Sequence, residues 1–313
     1  GKPSSGVNPL RGQNNVQGAC DMGGLPNVYP AYQPVTTEEN KAKFEKAWGV
    51  SNLSTTPGLT LMEMFNHAIA GDFKGLLIMG ENPVISDPNQ HHVIEALKSL
   101  EFFVVQDIFL TETAQYAHVV LPACAFLEKK GTVSNTERRV QPMNKVLSPP
   151  GKAKDDWWII MEVAKRMGAN WEYKKPKDIF AEIRTVTPSY AGISYDRIKK
   201  ELLQWPCPNE DHPGTQFLHK DKFTRGLGVL TPVEYTPPAE GTNTEYPLIL
   251  TTGRLLDHFH TGTMSRNSKV LNENVPEGYI ELNPNDAQNY NIENEEVVSV
   301  SSRRGSIRIK AKV

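Results

Sequence analysis

Through the middle of the chain, short apolar runs alternate with stretches of helical spacing, and near its end the pattern changes to strict two-residue alternation. Gly75–Leu76–Leu77–Ile78–Met79 is a continuous apolar run of the kind that forms a strand buried on both faces, stopping at Gly80. Asp87 followed by Pro88 reads as N-cap and first helical position, with Val93, Leu97 and Leu100 as the apolar stripe of the helix. Phe102 to Val105 predicts a second strand ending at Gln106–Asp107, and Val119–Val120–Leu121 a third ending at Pro122. Strand, helix, strand, helix, strand predicts an α/β domain with a Rossmann-like parallel sheet and right-handed crossovers. Ligands of such sheets bind outside the carboxyl ends of the strands. Those ends carry Gly80–Glu81–Asn82, Gln106–Asp107 and Leu121–Pro122, so one edge is a candidate nucleotide crevice.

Further along, Asp155 or Asp156 caps a predicted helix with Trp157, Met161, Ala164 and Met167 at core-facing spacing and Gly168 placed to end it. Residues from about 170 to 235 hold short scattered elements and loops such as WPCPNEDHPG. Pro237–Pro238–Ala239–Glu240–Gly241–Thr242 reads as a linker. After it LILTT, YIELN, EEVVSVSS and SIRIKAKV alternate with period two, and Arg303–Arg304–Gly305 suits a hairpin turn. At 313 residues the chain exceeds one ordinary core, and the pattern divides it into an α/β domain, 1–235, and a β-rich domain, 236–313.

One stretch fits neither pattern. From Gly6 to Gly24 the sequence GVNPLRGQNNVQGACDMGG is poor in core-forming side chains and rich in amides and glycines, with Arg11 its only cation. Planar donors and acceptors at this density suit a polar ligand better than a core. An arginine in such a loop either ties the loop together through carbonyls or presents its rigid fork to a carboxylate.

Composition narrows the field. A net charge of −2 gives no reason to expect nucleic acid or an anionic membrane as partner. No apolar run approaches the ~20 residues that span a bilayer, and no signal peptide opens the chain, so a soluble, cytoplasmic protein without membrane insertion is expected. Cys20, Cys124 and Cys207 lack the short spacings that hold zinc or an iron–sulfur cluster. GxGxxG and Walker loops are absent. Two histidines at i and i+2, His258 and His260, have no third ligand near them in sequence, so no metal ligand is assigned. The chain starts without methionine and stops after a strand-like run, which reads as a fragment of a longer polypeptide.

The amide-rich run, together with IMGENPVISDP, VVQDIFLTETAQYAHVVLPACAFLEKKGTVSNTERRVQ and LILTTGRLLDHFHTGTMS, resembles the molybdopterin-dependent formate dehydrogenases, catalytic subunit, over nearly the whole chain and in the same order. The resemblance implies formate oxidation to CO2, reversibly, at a molybdenum or tungsten ion held by two molybdopterin guanine dinucleotides. It implies that Arg11 lies beside the metal and orients formate, and that Gln13 lies near the pterin. At the strand ends it implies a guanosine site, for which Gly80 permits close approach and Glu81, Asn82, Gln106 and Asp107 offer polar groups. Ser86 is expected at a helix N-terminus suited to phosphate. Gly253, Arg254, His258, His260 and Thr261 fall on the pterin-contacting segment.

By the same resemblance the β-rich part begins a double-psi β-barrel cut before its last portion, with open edge strands. The metal's cysteine or selenocysteine ligand and a 4Fe–4S cluster are expected in an upstream part of the same polypeptide, and an electron-transfer iron–sulfur subunit as partner; the fragment alone should be inactive. Two alternatives remain: another molybdopterin oxidoreductase such as a nitrate reductase, and a cofactor-free structural subunit like the large iron–sulfur subunit of respiratory complex I. The run Asn135, Glu137, Arg138, Arg139 is a solvated face or a wall of a substrate funnel.

Overall fold

The computed structural model describes residues 8–313 except 221 and 224, so Gly6 and Val7 of the amide-rich run lie outside the described residues. Contacts divide the chain into two units. The first holds Gly1–Glu81, Ala96–Leu110 and Ala117–Gly228; the second holds Asn82–Glu95, Thr111–Tyr116 and Val229–Val313.

In the first unit the amide-rich run ends in a short helix α1 (Val16–Asp21), entered through Asn15 in the left-handed region at φ 62°. Asparagine tolerates that conformation because its short side chain hydrogen-bonds locally. A parallel sheet follows, with β1 (Gly75–Met79), β2 (Phe102–Asp107) and β3 (Val119–Pro122) adjacent in sequence order. Leu77 pairs with Val104 and Val104 with Val119, so the three carboxyl ends lie level. An antiparallel hairpin of β4 (Gly131–Ser134) and β5 (Val140–Met143) and a helix α2 (Asp156–Arg166) complete what the site needs. Asp155 takes the N-cap position of α2, and Gly168 follows its end at φ 97°.

In the second unit β6 (Tyr279–Glu281), β7 (Val297–Ser302) and β8 (Gly305–Lys312) form a sheet in the order β6, β8, β7. β8 runs parallel to β6 and antiparallel to β7, with Ser302 opposite Gly305 across the Arg303–Arg304 turn. Glu240 of the expected linker pairs with both arginines of that turn, at 2.6 and 3.0 Å.

Four expectations are corrected. The strand β1 is buried on one face only: Ile78 is enclosed, whereas Leu77 and Met79 are 49% and 48% exposed. On α2 the buried positions are Ile159 and Met161, and Met167 is 83% exposed, because the sheet face bearing Leu77 and Leu121 meets α2 only across an apolar cleft of about 200 Å³. Asp87 does not start a helix. Pro83 opens a single helical turn, Pro83–Ser86, that Asp87 closes, and the next helix begins at Gln90 after Asn89 at φ 59°. Finally, residues 248–252 pair with no strand among the described residues, and Ile249 is 85% exposed. Alternation makes a segment compatible with a sheet; pairing also requires a free edge in register.

Candidate functional site

Arg11 lies on an open groove of about 850 Å³ in the first unit. One wall is the amide run, with Gln13, Asn14, Asn15 and Gln17; the facing wall is β4, preceded by Lys129 and Lys130, together with Asn135. Trp157, Ile179, Ile183 and Tyr195 add an apolar side. Neither Arg11 nor Lys130 has a protein partner among the described residues, and both are exposed. Lys129 is different, since its ammonium pairs with Asp156, whose other oxygen accepts from Gln106 Nε2 at 2.8 Å. The groove therefore presents two uncompensated cations and a row of amides, a set that draws anions.

The amide run is held at both ends of α1. At its start Asn15 Oδ1 accepts from the backbone N–H of Ser134 on β4 at 2.9 Å. At its end Asp21, 1% exposed, accepts four hydrogen bonds. Gln17 Nε2 donates at 2.7 Å and Tyr32 Oη at 2.9 Å to one oxygen; Trp205 Nε1 donates at 2.7 Å, and Tyr190 Oη donates, to the other. Tyr190 also meets the Ser134 hydroxyl at 3.0 Å. Burial, reinforced by the Asp21 carboxylate, pushes the phenols of Tyr190 and Tyr32 well above their usual range, so both stay donors. Arg138 turns away from the groove: it donates to the carbonyls of Trp205 and Gln216 and lies 5.5 Å from the Trp205 ring centre. Burial lowers its pKa, with the Asp21 charge opposing.

Gly18 is required in this arrangement, because a Cβ there would come within 2.1 Å of Asn15 Oδ1. Gly18→Ala is expected to swing the Asn15 amide off Ser134 and to lower the thermal midpoint; loss of one buried hydrogen bond amounts to about 1 kcal/mol, read by calorimetry.

At the carboxyl end of the parallel sheet, Gly80 sits at φ 67°, a conformation natural to glycine, and its N–H donates to Gln106 O at 2.9 Å. Gln106 is buried and its Oε1 has no donor. Asp107 Oδ1 accepts from the N–H groups of Ile108 and Phe109 at 2.6 and 3.3 Å. Burial raises the Asp107 pKa, these N–H groups oppose it, and the Asp156 charge adds to it. Gln106 Oε1, buried and short of a donor, and the Asp107 carboxylate are the acceptors this end of the sheet offers to an N–H-rich edge such as that of guanine or pterin. Glu81 is exposed at the same end.

The remaining expected residues lie in the second unit. Asn82 is fully engaged: Oδ1 accepts from the N–H and Oγ1 of Thr113, and Nδ2 donates to Glu112 and Thr263. Ser86 ends its helical turn rather than beginning one and donates to Asp87, so the expected crown of free N–H groups is not at Ser86. The other Asp87 oxygen is buried without a partner, and burial raises its pKa. His258 is enclosed with both ring nitrogens occupied, by Ser265 Oγ at 3.0 Å and Val275 O at 2.7 Å. Gly253, Arg254, His260 and Thr261 are exposed, and His260 packs edge-on against Phe259 at φ 50°. Among the described residues no three His, Cys, Asp or Glu side chains converge as a metal site, and no helix is long and apolar enough to cross a membrane. Lys129 and the Asp21 cluster carry no signal in the sequence, since Asp156, Tyr190 and Trp205 lie far from them along the chain.

Residues 1–166 match the family model described as molybdopterin oxidoreductase, and residues 248–313 that of the molydopterin dinucleotide binding domain. Over 317 residues the chain is 54% identical to the F420-dependent formate dehydrogenase subunit alpha of Methanocaldococcus jannaschii, covering 100% of this chain and 46% of the relative. Over 326 residues it is 40% identical to the assimilatory nitrate reductase catalytic subunit of Bacillus subtilis, again covering 100% of this chain and 46% of the relative. The fold is similar to that of acetylene hydratase from Pelobacter acetylenicus, with a TM-score of 0.65 at 22% identity over 87% of this chain and 40% of that one. The chain thus spans about half the length of the curated relatives it matches. It belongs to the molybdopterin oxidoreductase family, and its end carries a segment of that family's dinucleotide-binding domain.

Proposed function

We propose that this chain builds the substrate- and cofactor-holding part of a formate dehydrogenase catalytic subunit, which oxidises formate to CO2 and, in reverse, reduces it. The observation that carries the reading is Arg11, a guanidinium without a partner among the described residues, on an amide-lined groove; the 54% identity to a formate dehydrogenase subunit supports it. When bound, a molybdenum or tungsten bis(molybdopterin guanine dinucleotide) centre supplies the redox chemistry. Arg11 pairs its fork with the formate carboxylate, and Lys130 adds positive charge to the same groove. Formate gives up two electrons and a proton as CO2 forms. Gln13 holds the pterin edge beside it, and Asp107 and Gln106 accept from the guanine edge.

The 248–313 segment belongs to a double-psi β-barrel, with Gly253, Arg254, His260 and Thr261 reaching the cofactor and Asn82 and His258 bracing the loops behind them. Glu81 and Ser86 are assigned to the guanosine side, Ser86 through its hydroxyl, and the domains remain 1–235 and 236–313. A 4Fe–4S cluster in another segment of the subunit, an iron–sulfur partner and a cytoplasmic location complete the proposal.

The second reading, nitrate reduction, draws on the 40% identity to a nitrate reductase. Assays of the complete protein separate the two: dye reduction driven by formate is expected, and nitrate reduction without formate oxidation overturns the first reading.

Asp107 gives a separate test. Burial raises its pKa, so its titration window lies higher than that of an ordinary aspartate; protonated, the carboxyl cannot accept from two N–H donors, and ionisation restores both acceptors. Guanosine nucleotide affinity is therefore expected to rise with pH through that window and then level off. Asp107→Asn should weaken binding by roughly 10- to 100-fold and flatten the pH profile, as titration calorimetry on the complete apoprotein would register. Unchanged affinity removes Asp107 from the site.

A further inference from the structure

We propose that Asn15 and Asp21 are positioning residues for Arg11, anchoring its loop to the groove wall at two points either side of α1; this rests on the reading of Arg11 as the formate-binding cation. The geometry is specific. Arg11 is exposed and has no hydrogen-bond or ion-pair partner among the described residues, so its placement depends on what holds the loop. Four residues later Asn15, in the left-handed conformation, folds its side chain back across Gly18 to the backbone N–H of Ser134. Ser134 belongs to β4, the opposite groove wall. Its N–H is bound by Asn15, and its hydroxyl is bound by Tyr190, whose phenol donates to Asp21.

The two anchors thus meet on one residue. Asp21 closes the circuit by drawing donors from Gln17 and Tyr32 on the loop side and from Tyr190 and Trp205 on the other. Each of its oxygens already accepts twice, so every donor is fixed in direction. Disturbing either anchor leaves the guanidinium present and misplaces it, and displacement of about 1 Å at a reacting centre is enough to cost on the order of 100-fold in rate.

Two substitutions remove the anchors without removing Arg11. Asn15→Gly deletes the carboxamide and keeps a residue at ease with positive φ; Tyr190→Phe deletes one donor to Asp21 and keeps the ring. Two readouts are taken on the complete, cofactor-loaded protein. In hydrogen exchange, the amides of Ala19, Met22 and Gly24, hydrogen-bonded at 2.9, 3.0 and 2.8 Å, are protected in the parent and exchange faster in both variants. In steady-state kinetics, formate kcat/KM falls roughly 10- to 100-fold at unchanged metal content, and either substitution placed on an Arg11→Ala background has no further effect. An unprotected segment in the parent, unchanged exchange in both variants, or an equal kinetic loss with and without Arg11 overturns the proposal. Faster exchange in both variants of a protein that does not itself oxidise formate sustains the anchor and removes the formate reading, so the two failures are distinguishable.

Discussion

Replacement of Arg11 by alanine in the complete protein is expected to lower formate kcat/KM by about two to three orders of magnitude, the loss seen when one preorganised charge-stabilising donor is removed. Metal content and thermal midpoint should stay at parent values, because the side chain is exposed and has no partner among the described residues whose loss would unsettle the fold. Arg11→Lys should recover only part of the rate. Lysine restores a point charge, but it cannot make the paired N–H contacts that fix the angle of a carboxylate. Metal analysis beside steady-state kinetics checks the outcome; full turnover by the alanine variant would remove the role assigned here.

The second large effect concerns stability. Asp21→Ala strips the acceptor from four donors at once, of which Gln17 and Tyr190 are buried and Trp205 is partly so. A buried donor left without an acceptor costs about 1–3 kcal/mol, and Tyr190 retains only the Ser134 hydroxyl. A total near 4 kcal/mol is expected, corresponding to a fall of a few degrees in the melting transition of the complete protein, since the shift per kcal/mol shrinks as the chain lengthens. Asp21→Asn keeps the shape and one acceptor oxygen, so its loss should be smaller, although its amide nitrogen faces two donors. A melting point unchanged in the alanine variant would show that the donors rearrange freely.

These two residues mark what sequence could and could not disclose. The parallel sheet was legible because each strand is a local apolar run with its own stop: Gly80, Asp107 and Pro122 end the three strands and turn the chain at one edge. Arg11 was legible because it stands alone among amides. Asp21 lies ten residues away in the same run and carries no signal there, since its meaning comes from Tyr190 and Trp205, 169 and 184 residues distant. A buried carboxylate is recognised by its donors, and those converge only in the folded chain.

Local rules also misplace features when a neighbour overrides them. Asp87–Pro88 carries a helix-start signature, yet Pro83 opens a helical turn four residues earlier and Asp87 becomes its end. Ser86 is shifted with it from the start to the finish of that turn. Residues 248–252 have the alternation of a strand, but a strand is defined by its partner, and no partner pairs with them among the described residues. His258 shows the same limit at the level of one side chain. Its place in TGRLLDHFHTGT suggests a ligand contact, while Ser265 and Val275 occupy both its nitrogens.

Anomalous X-ray scattering at the molybdenum and tungsten edges, from crystals of the complete cofactor-loaded protein, locates the metal relative to Arg11. One metal peak is expected in the groove beside Arg11 and Lys130, close enough for a single bound carboxylate to touch both the guanidinium and the metal. A metal peak remote from that groove, with the Arg11 side chain turned into solvent, would contradict the role given to Arg11.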